Sequence, residues 1–370
     1  MVDIRIKSVT LHHVKVPLKH PFNTHLQKVK ERESILLEVT DTDGIIGVGE
    51  CVAFASPWYT EETVDTAWNT LEKWIIPSML NQSFSHPDHL ESALNAIKGN
   101  HMAKAAVNHA FWDLYTKKLN KPLWQVIGGI KETIEAGVVV AAATDFEMKE
   151  EIDAAVEKGY KRIKIKISQN TNPKDMKSII AKYPQTLFFA DANGAFTEST
   201  INQLRAFDDC GFALIEQPFS EQINRISAEA QKTMKTPFAL DESIASYEDA
   251  LDMIERKSGK IIVMKQGRVG GLSAALRIHN QCIQAEVPIW VGGMIEFGVS
   301  KAFNLAFASL PGVTFPGDFS SSSHFWEDDL AFPLIDICEG SIRLSSSPGV
   351  GVEWNQSIVQ QFEVRNKLFK

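Results

Sequence analysis

The sequence predicts an α/β fold: a closed barrel of alternating strands and helices, carrying a separate α+β domain. Three observations predict it. From about residue 134 onward, eight short apolar runs alternate with amphipathic stretches. Before that point strands come first and helices after, the order of an α+β unit. Finally, Lys166, Asp191, Glu216, Asp241 and Lys265 follow one another at intervals of 25, 25, 25 and 24 residues, each at the end of an apolar run.

The size suits this arrangement. At 370 residues, with 44% hydrophobic and 23% charged, the chain has ordinary globular composition and room for a barrel plus a smaller domain. The net charge of −8 argues against a nucleic-acid partner or a polybasic membrane binder. The longest stretch without a charged residue, Ala302 to Gly317, contains two prolines and is shorter than the roughly 18 apolar residues a spanning helix needs. The N-terminus alternates charged and apolar residues, unlike a signal peptide. Cys51, Cys210, Cys282 and Cys338 are far apart and form no Cys-x-x-Cys, so a reducing cytoplasm is the expected location.

The elements can be justified in order. Ile35 to Val39 and Ile45 to Val48 flank Asp43-Gly44, a hairpin signal. Irregular stretches cover 19–25 and 51–59. Thr60 is the expected N-cap of the first helix, with Glu61 and Glu62 in its first turn. A second helix is expected over about His101 to Lys118. The barrel strands are expected at Ala136–Ala143, Arg162–Ile167, Leu187–Asp191, Phe212–Glu216, Phe238–Asp241, Ile261–Lys265, Pro288–Gly292 and Gly312–Gly317. Thr197 and Ser246 are expected N-caps between them, and Gly159 and Gly211 sit where helices should stop. The alternative is a doubly wound open sheet, but no Gly-x-Gly-x-x-Gly turn follows the first strand. The tail, about 340–370, regains strand character at Ser341–Leu344 and is expected to pair back onto the N-terminal domain.

Charges that recur once per strand–helix unit become neighbours around one mouth of a barrel. In Arg162-Ile-Lys-Ile-Lys-Ile167, alternation sends the isoleucines to the helices and Lys164 and Lys166 inward. Asp191, Glu216 and Asp241 are three hard oxygen donors on adjacent strands, whose mutual repulsion a divalent cation would relieve. All-oxygen donors favour Mg²⁺, with Mn²⁺ able to substitute. A carboxylate substrate bound there would be polarised, and a lysine could remove its α-proton. Lys164, a second cation, would help keep Lys166 neutral. Taken singly these features are ordinary: Lys-Ile-Lys-Ile is commonly a half-exposed strand, and a lone acid at a strand end commonly caps a helix. The set of five at one period carries the reading. Gly267-Arg-Val-Gly-Gly271 lacks the lysine and spacing of a phosphate loop and reads as a helix start. His101 and His109 lack a His-Glu-x-x-His pattern. Ser320–Ser323 is a hydroxyl run with no assigned role.

Lys164-Ile-Lys166, Asp191-Ala-Asn193, Glu216-Gln-Pro218, Asp241-Glu-Ser243 and Lys265-Gln-Gly-Arg-Val-Gly-Gly271 together resemble the enolase superfamily, muconate-lactonizing subgroup. Pro21-Phe22-Asn-Thr24, Gly49-Glu50-Cys51, Gly292-Gly293-Met294-Ile-Glu296 and Pro316-Gly-Asp318 resemble its o-succinylbenzoate synthase and N-succinylamino acid (N-acylamino acid) racemase branch. The resemblance spans the chain. It implies a (β/α)7β TIM-like barrel over 131–339 and an α+β capping domain over 1–130, completed by 340–370. It implies Mg²⁺ on Asp191, Glu216 and Asp241, Lys166 as base, Lys265 opposite it and Lys164 assisting. It implies cap loops at about 19–30 and 51–59 that set specificity, with Phe22, His25, Phe54, Tyr59, Asn193, Gly293 and Met294 as substrate contacts. The implied reaction is syn-dehydration to o-succinylbenzoate in menaquinone synthesis, with racemisation of N-succinylamino acids as companion or alternative. Muconate cycloisomerisation and dipeptide epimerisation are less favoured. The substrate would be a small carboxylate with a succinyl or acyl tail, and homo-oligomers are common in such enzymes. The contrary class is a non-catalytic metal-binding paralogue or a structural ion-pair ring.

Overall fold

The computed structural model describes residues 2–23, 27–140, 144–221 and 224–370. His25 and the expected strand end Ala141–Ala143 lie outside the described residues.

The N-terminal sheet is antiparallel. It contains β1 (Ile4–Asn23), β2 (Lys28–Asp41) and β3 (Ile46–Cys51), with β4 (Ser83–Phe84) off the edge of β1. The β2–β3 turn forms because Asp41 Oδ1 accepts the Asp43 and Ile45 N–H groups, both at 2.9 Å. The first helix starts later than the sequence suggests: Thr63, not Thr60, caps Val64–Thr70 in a box with Thr66. Glu62 is buried and caps a different helix, His101–Lys118, accepting the N–H groups of Met102 (2.7 Å) and Ala103 (3.1 Å). That helix packs against β3 and matches its expected bounds.

Eight parallel strands follow: β5 (Thr133–Val140), β6 (Arg162–Lys166), β7 (Leu187–Asp191), β8 (Leu214–Glu216), β9 (Phe238–Leu240), β10 (Ile261–Met264), β11 (Ile289–Val291) and β12 (Gly317–Asp318). They hydrogen-bond in chain order from β5 to β11, and β12 returns beside β5. A parallel bridge between Ile289 and Val313 brings the approach to β12 alongside β11, so the barrel is nearly closed. The eighth run is therefore mostly loop, with only Gly317–Asp318 in the ladder. Ser246 and Thr197 do cap the segments expected of them, and the positive φ at Gly159 follows the C-cap Lys158 and stops its helix; Gly211 also has a positive φ, but the helix before it already ends at Arg205, so the stop expected there lies in a turn.

Side-chain alternation sorts the barrel. Ile163, Ile165 and Ile167 pack outward with Phe188 and Ile215, while Phe189, Leu214, Ala239, Ile261, Val263 and Trp290 fill the interior. Arg162 is also inside, fully buried, its guanidinium 5.2 Å from the rings of both Phe189 and Trp290. Gly137 makes room for it: a Cβ there would lie 2.1 Å from the guanidinium.

The tail divides differently from the expectation. Beyond the ribbon of β13 (Ala331–Phe332) and β15 (Glu353–Trp354), β14 (Ser341–Arg343) pairs with the barrel strand β5. It is β16 (Glu363–Phe369) that returns to the cap, antiparallel to β1. Ser341–Arg343 carried the stronger strand pattern, but β5 offered the nearer open edge. The hydroxyl run also finds a role: Ser322 Oγ donates to Asp329 Oδ2 (2.7 Å) and accepts the Ile335 N–H, while Ser321 Oγ accepts that of Ile337. No helix among the described residues is long and apolar enough to cross a membrane.

Candidate active site

The C-terminal ends of the barrel strands bring the periodic charges together. In the ladder Lys166 lies directly beside Asp191, and Asp191 beside Glu216. Asp241 follows β9 and Lys265 follows β10. The mouth opens above the apolar interior, where ion pairs are strong and unpaired charge is costly.

Lys164 is buried. Its Nζ lies 2.6 Å from Asp318 Oδ2, 3.2 Å from Glu216 Oε2 and 3.4 Å from Asp191 Oδ2. Burial opposes its charge, but Asp318, Glu216 and Asp191 outweigh this and hold it well above the usual lysine range. It is thus a counter-ion for three carboxylates rather than a neighbour bearing on Lys166 alone. Lys166 is not buried as expected. It ends β6, its side chain is 40% exposed, and Nζ donates to Asp191 Oδ2 (2.6 Å) and Asn193 Oδ1 (2.5 Å). A side chain at the rim is reachable by substrate.

On the other flank Lys265 Nζ donates to Asp241 Oδ2 (2.8 Å) and to the Tyr59 hydroxyl (2.7 Å). Arg268 Nη1 reaches the same two groups, Asp241 Oδ1 and Tyr59 Oη, both at 2.7 Å. Burial works against the Asp241 charge, yet Lys265 and Arg268 hold its carboxyl below the usual range. Gly292 permits the packing, since a Cβ there would lie 2.6 Å from Lys265 Cε.

Glu216 has no such partner on both sides. Burial and the charges of Asp191 and Asp241 push its carboxyl well above normal, and its Oε2 is a buried oxygen with no hydrogen bond. Three oxygen donors with one unsatisfied suit a hard divalent cation. Lys166 Nζ donates to Asp191 Oδ2 and Lys265 Nζ to Asp241 Oδ2, so an ammonium group stands against two of the three carboxylates.

The expected substrate contacts divide. Tyr59 and Asn193 touch the lysines. Gly293 lies against Asp318, and the Met294 N–H donates to Glu296. Phe22 packs edge-on against Phe325 at the cap rim. Phe54 is not an open contact: it is 6% exposed, packed between Trp58 and the Arg32 guanidinium, because an apolar ring there is better placed under the loop than over it. Sequence reasoning missed Asp318 and Arg162, which form an ion pair of 2.7 Å, as well as Arg268 on Asp241 and Glu242, whose Oε1 accepts from the Asn193 side-chain amide at 2.9 Å. Asp318 ends a strand like the others, but 53 residues after Lys265 it falls outside the period.

Two family descriptions match the chain. The mandelate racemase / muconate lactonizing enzyme N-terminal domain covers residues 6–128, and the enolase C-terminal domain-like family covers 147–358. An o-succinylbenzoate synthase of Bacillus subtilis is 42% identical, across 99% of each chain. An N-succinylamino acid racemase of Thermus thermophilus is 36% identical, across 97% of each. A crystal structure of an enolase superfamily member from Listeria innocua superposes with a TM-score of 0.96 at 31% identity, covering 99% of each chain. With both domains matched and the fold shared, the chain belongs to the enolase superfamily, in its mandelate racemase / muconate lactonizing enzyme division.

Proposed function

We propose that the protein is a Mg²⁺-dependent o-succinylbenzoate synthase of the cytoplasm. It would dehydrate a succinyl-substituted hydroxycyclohexadiene carboxylate, a menaquinone-pathway step. The observation that carries the reading is the ordered row Lys166–Asp191–Glu216 with Asp241 and Lys265 beyond it, which sets one amine on each side of three carboxylates. The likeness to the Bacillus subtilis synthase supports the choice of substrate.

Asp191, Glu216 and Asp241 would hold the cation. When bound, it would supply positive charge to the substrate carboxylate, as in superfamily sites generally. Lys166 Nζ, at the rim, would take the α-proton; the resulting ammonium lies on the same face as the leaving hydroxyl and can return that proton, releasing water. Lys265 and Arg268 would hold positive charge against the opposite face of the delocalised anion, and Tyr59 would orient Lys265. Purified protein with Mg²⁺ should convert the substrate; failure to do so rejects the reading.

The row also suits racemisation of N-succinylamino acids, which needs a base on each face, and the likeness to the Thermus thermophilus racemase favours it as a second activity. In deuterated solvent, Lys166→Ala should abolish α-proton exchange from one enantiomer and Lys265→Ala from the other. Equal losses from both enantiomers would reject the two-base arrangement.

A further inference from the structure

We propose that Arg32 and Glu50, both on strands of the cap, are positioning residues for the Lys265 side of the site. They fasten the cap loop 51–59 to the barrel loop 292–297 and thereby hold the Tyr59 hydroxyl against Lys265.

Arg32, on β2, is fully buried. Its hydrogen bonds all go to backbone carbonyls. Nε donates to Ile295 (3.1 Å), Nη1 to Ala53 (2.7 Å) and Glu33, and Nη2 to Val52 (2.5 Å). One planar group therefore grips both loops at once, which a lysine with a single nitrogen cannot reproduce. Glu50, on β3, crosses the same boundary. Its carboxylate accepts the N–H groups of Phe297 (3.0 Å) and Ser300 (3.1 Å), capping the barrel helix Gly298–Ala308 from the other domain.

The segment so gripped is strained. Ile295 has φ +55°, a region that β-branched residues rarely adopt, so the surrounding contacts must impose it. On the cap side the guanidinium lies 4.3 Å over the Phe54 ring, which packs against Trp58 (4.6 Å) and Tyr59 (5.9 Å). Tyr59 then reaches Lys265 and Arg268. A continuous run of contacts thus leads from Arg32 to the lysine. The effect on proton transfer rests on the function proposed above; the fastening of the loops does not.

The test uses the intact protein with Arg32→Met, Arg32→Lys and the milder Glu50→Gln, compared by hydrogen–deuterium exchange and by α-proton exchange from each N-succinylamino acid enantiomer. Amides of 51–59 and 292–297 should exchange roughly tenfold faster or more in the Arg32 variants, while β6–β8 stay as protected as in the parent. Exchange from the enantiomer served by Lys265 should fall roughly tenfold further than that served by Lys166. Unchanged loop protection, or loss spread evenly over the chain, overturns the fastening. Loosened loops with equal losses from both enantiomers overturn the positioning role. A parent protein that exchanges neither enantiomer rejects the racemase reading instead, and loop protection alone then decides the fastening.

Discussion

Replacing Lys164 with Met removes the cation that three carboxylates share. Asp318 would keep Arg162 at 2.7 Å, and Asp191 would keep Lys166 at 2.6 Å. Glu216 would keep neither, since among the described residues its ion-pair partner is Lys164 at 3.2 Å. Removing one partner of a buried pair costs about 3–5 kcal/mol. The lower end, about 3 kcal/mol, applies here, because two of the three acids retain a cation and Glu216, already held above the usual carboxylate range, can take up a proton. For a chain of this length that is a fall in melting temperature of roughly 4 °C without added metal. Mg²⁺ bound by Asp191, Glu216 and Asp241 would restore charge balance, so it should raise the melting temperature of the variant more than that of the parent. Thermal unfolding by circular dichroism with chelator and with Mg²⁺ measures both quantities. A variant melting with its parent under chelation, or a metal response no larger than the parent's, would refute the idea that these acids form one electrostatic unit.

Three further outcomes are expected. Burial raises Glu50 to about 7 from 4.5, so its stabilising contribution is full below about pH 4.5 and is lost as pH rises through 7; Glu50→Gln should flatten denaturant stability over that window, by at most about 3 kcal/mol. Burial lowers His109 to about 3, where it stacks 4.2 Å from Phe303, so its contribution is full above pH 6.5 and is lost as pH falls towards 3; His109→Phe should soften acid unfolding monitored by fluorescence. Arg268→Lys cannot meet Tyr59, Asp241 and the Ile244 carbonyl together, so kcat should fall roughly tenfold or more with the melting temperature little changed.

The barrel and its row of charges were legible in the sequence because both follow local rules. Apolar runs recur at one length, and strand alternation turns Lys164 inward and Ile165 outward whatever surrounds them. Asp318 escaped because the last stretch before it, Gly312–Pro316, is loop instead of strand, which breaks the count. Glu62 was misread because an acid near a helix start satisfies the same rule whether it caps its own helix or one that begins at His101. The contact between Tyr59 and Lys265 joins residues 206 positions apart, and no local pattern encodes it. Arg32 was silent for the same reason: its partners are carbonyls, which every residue has.

The pairing of Val9 with Phe369 has a consequence for biosynthesis. During translation, which proceeds at about 5–20 residues per second, β1 must wait for nearly the entire polypeptide before its outer neighbour exists. The barrel strands leave the ribosome earlier and can assemble with the lid still unsealed. A nascent chain stalled before residue 363 would therefore present a formed barrel beneath an open-edged lid, and quality-control factors that recognise unpaired strand edges would meet it there.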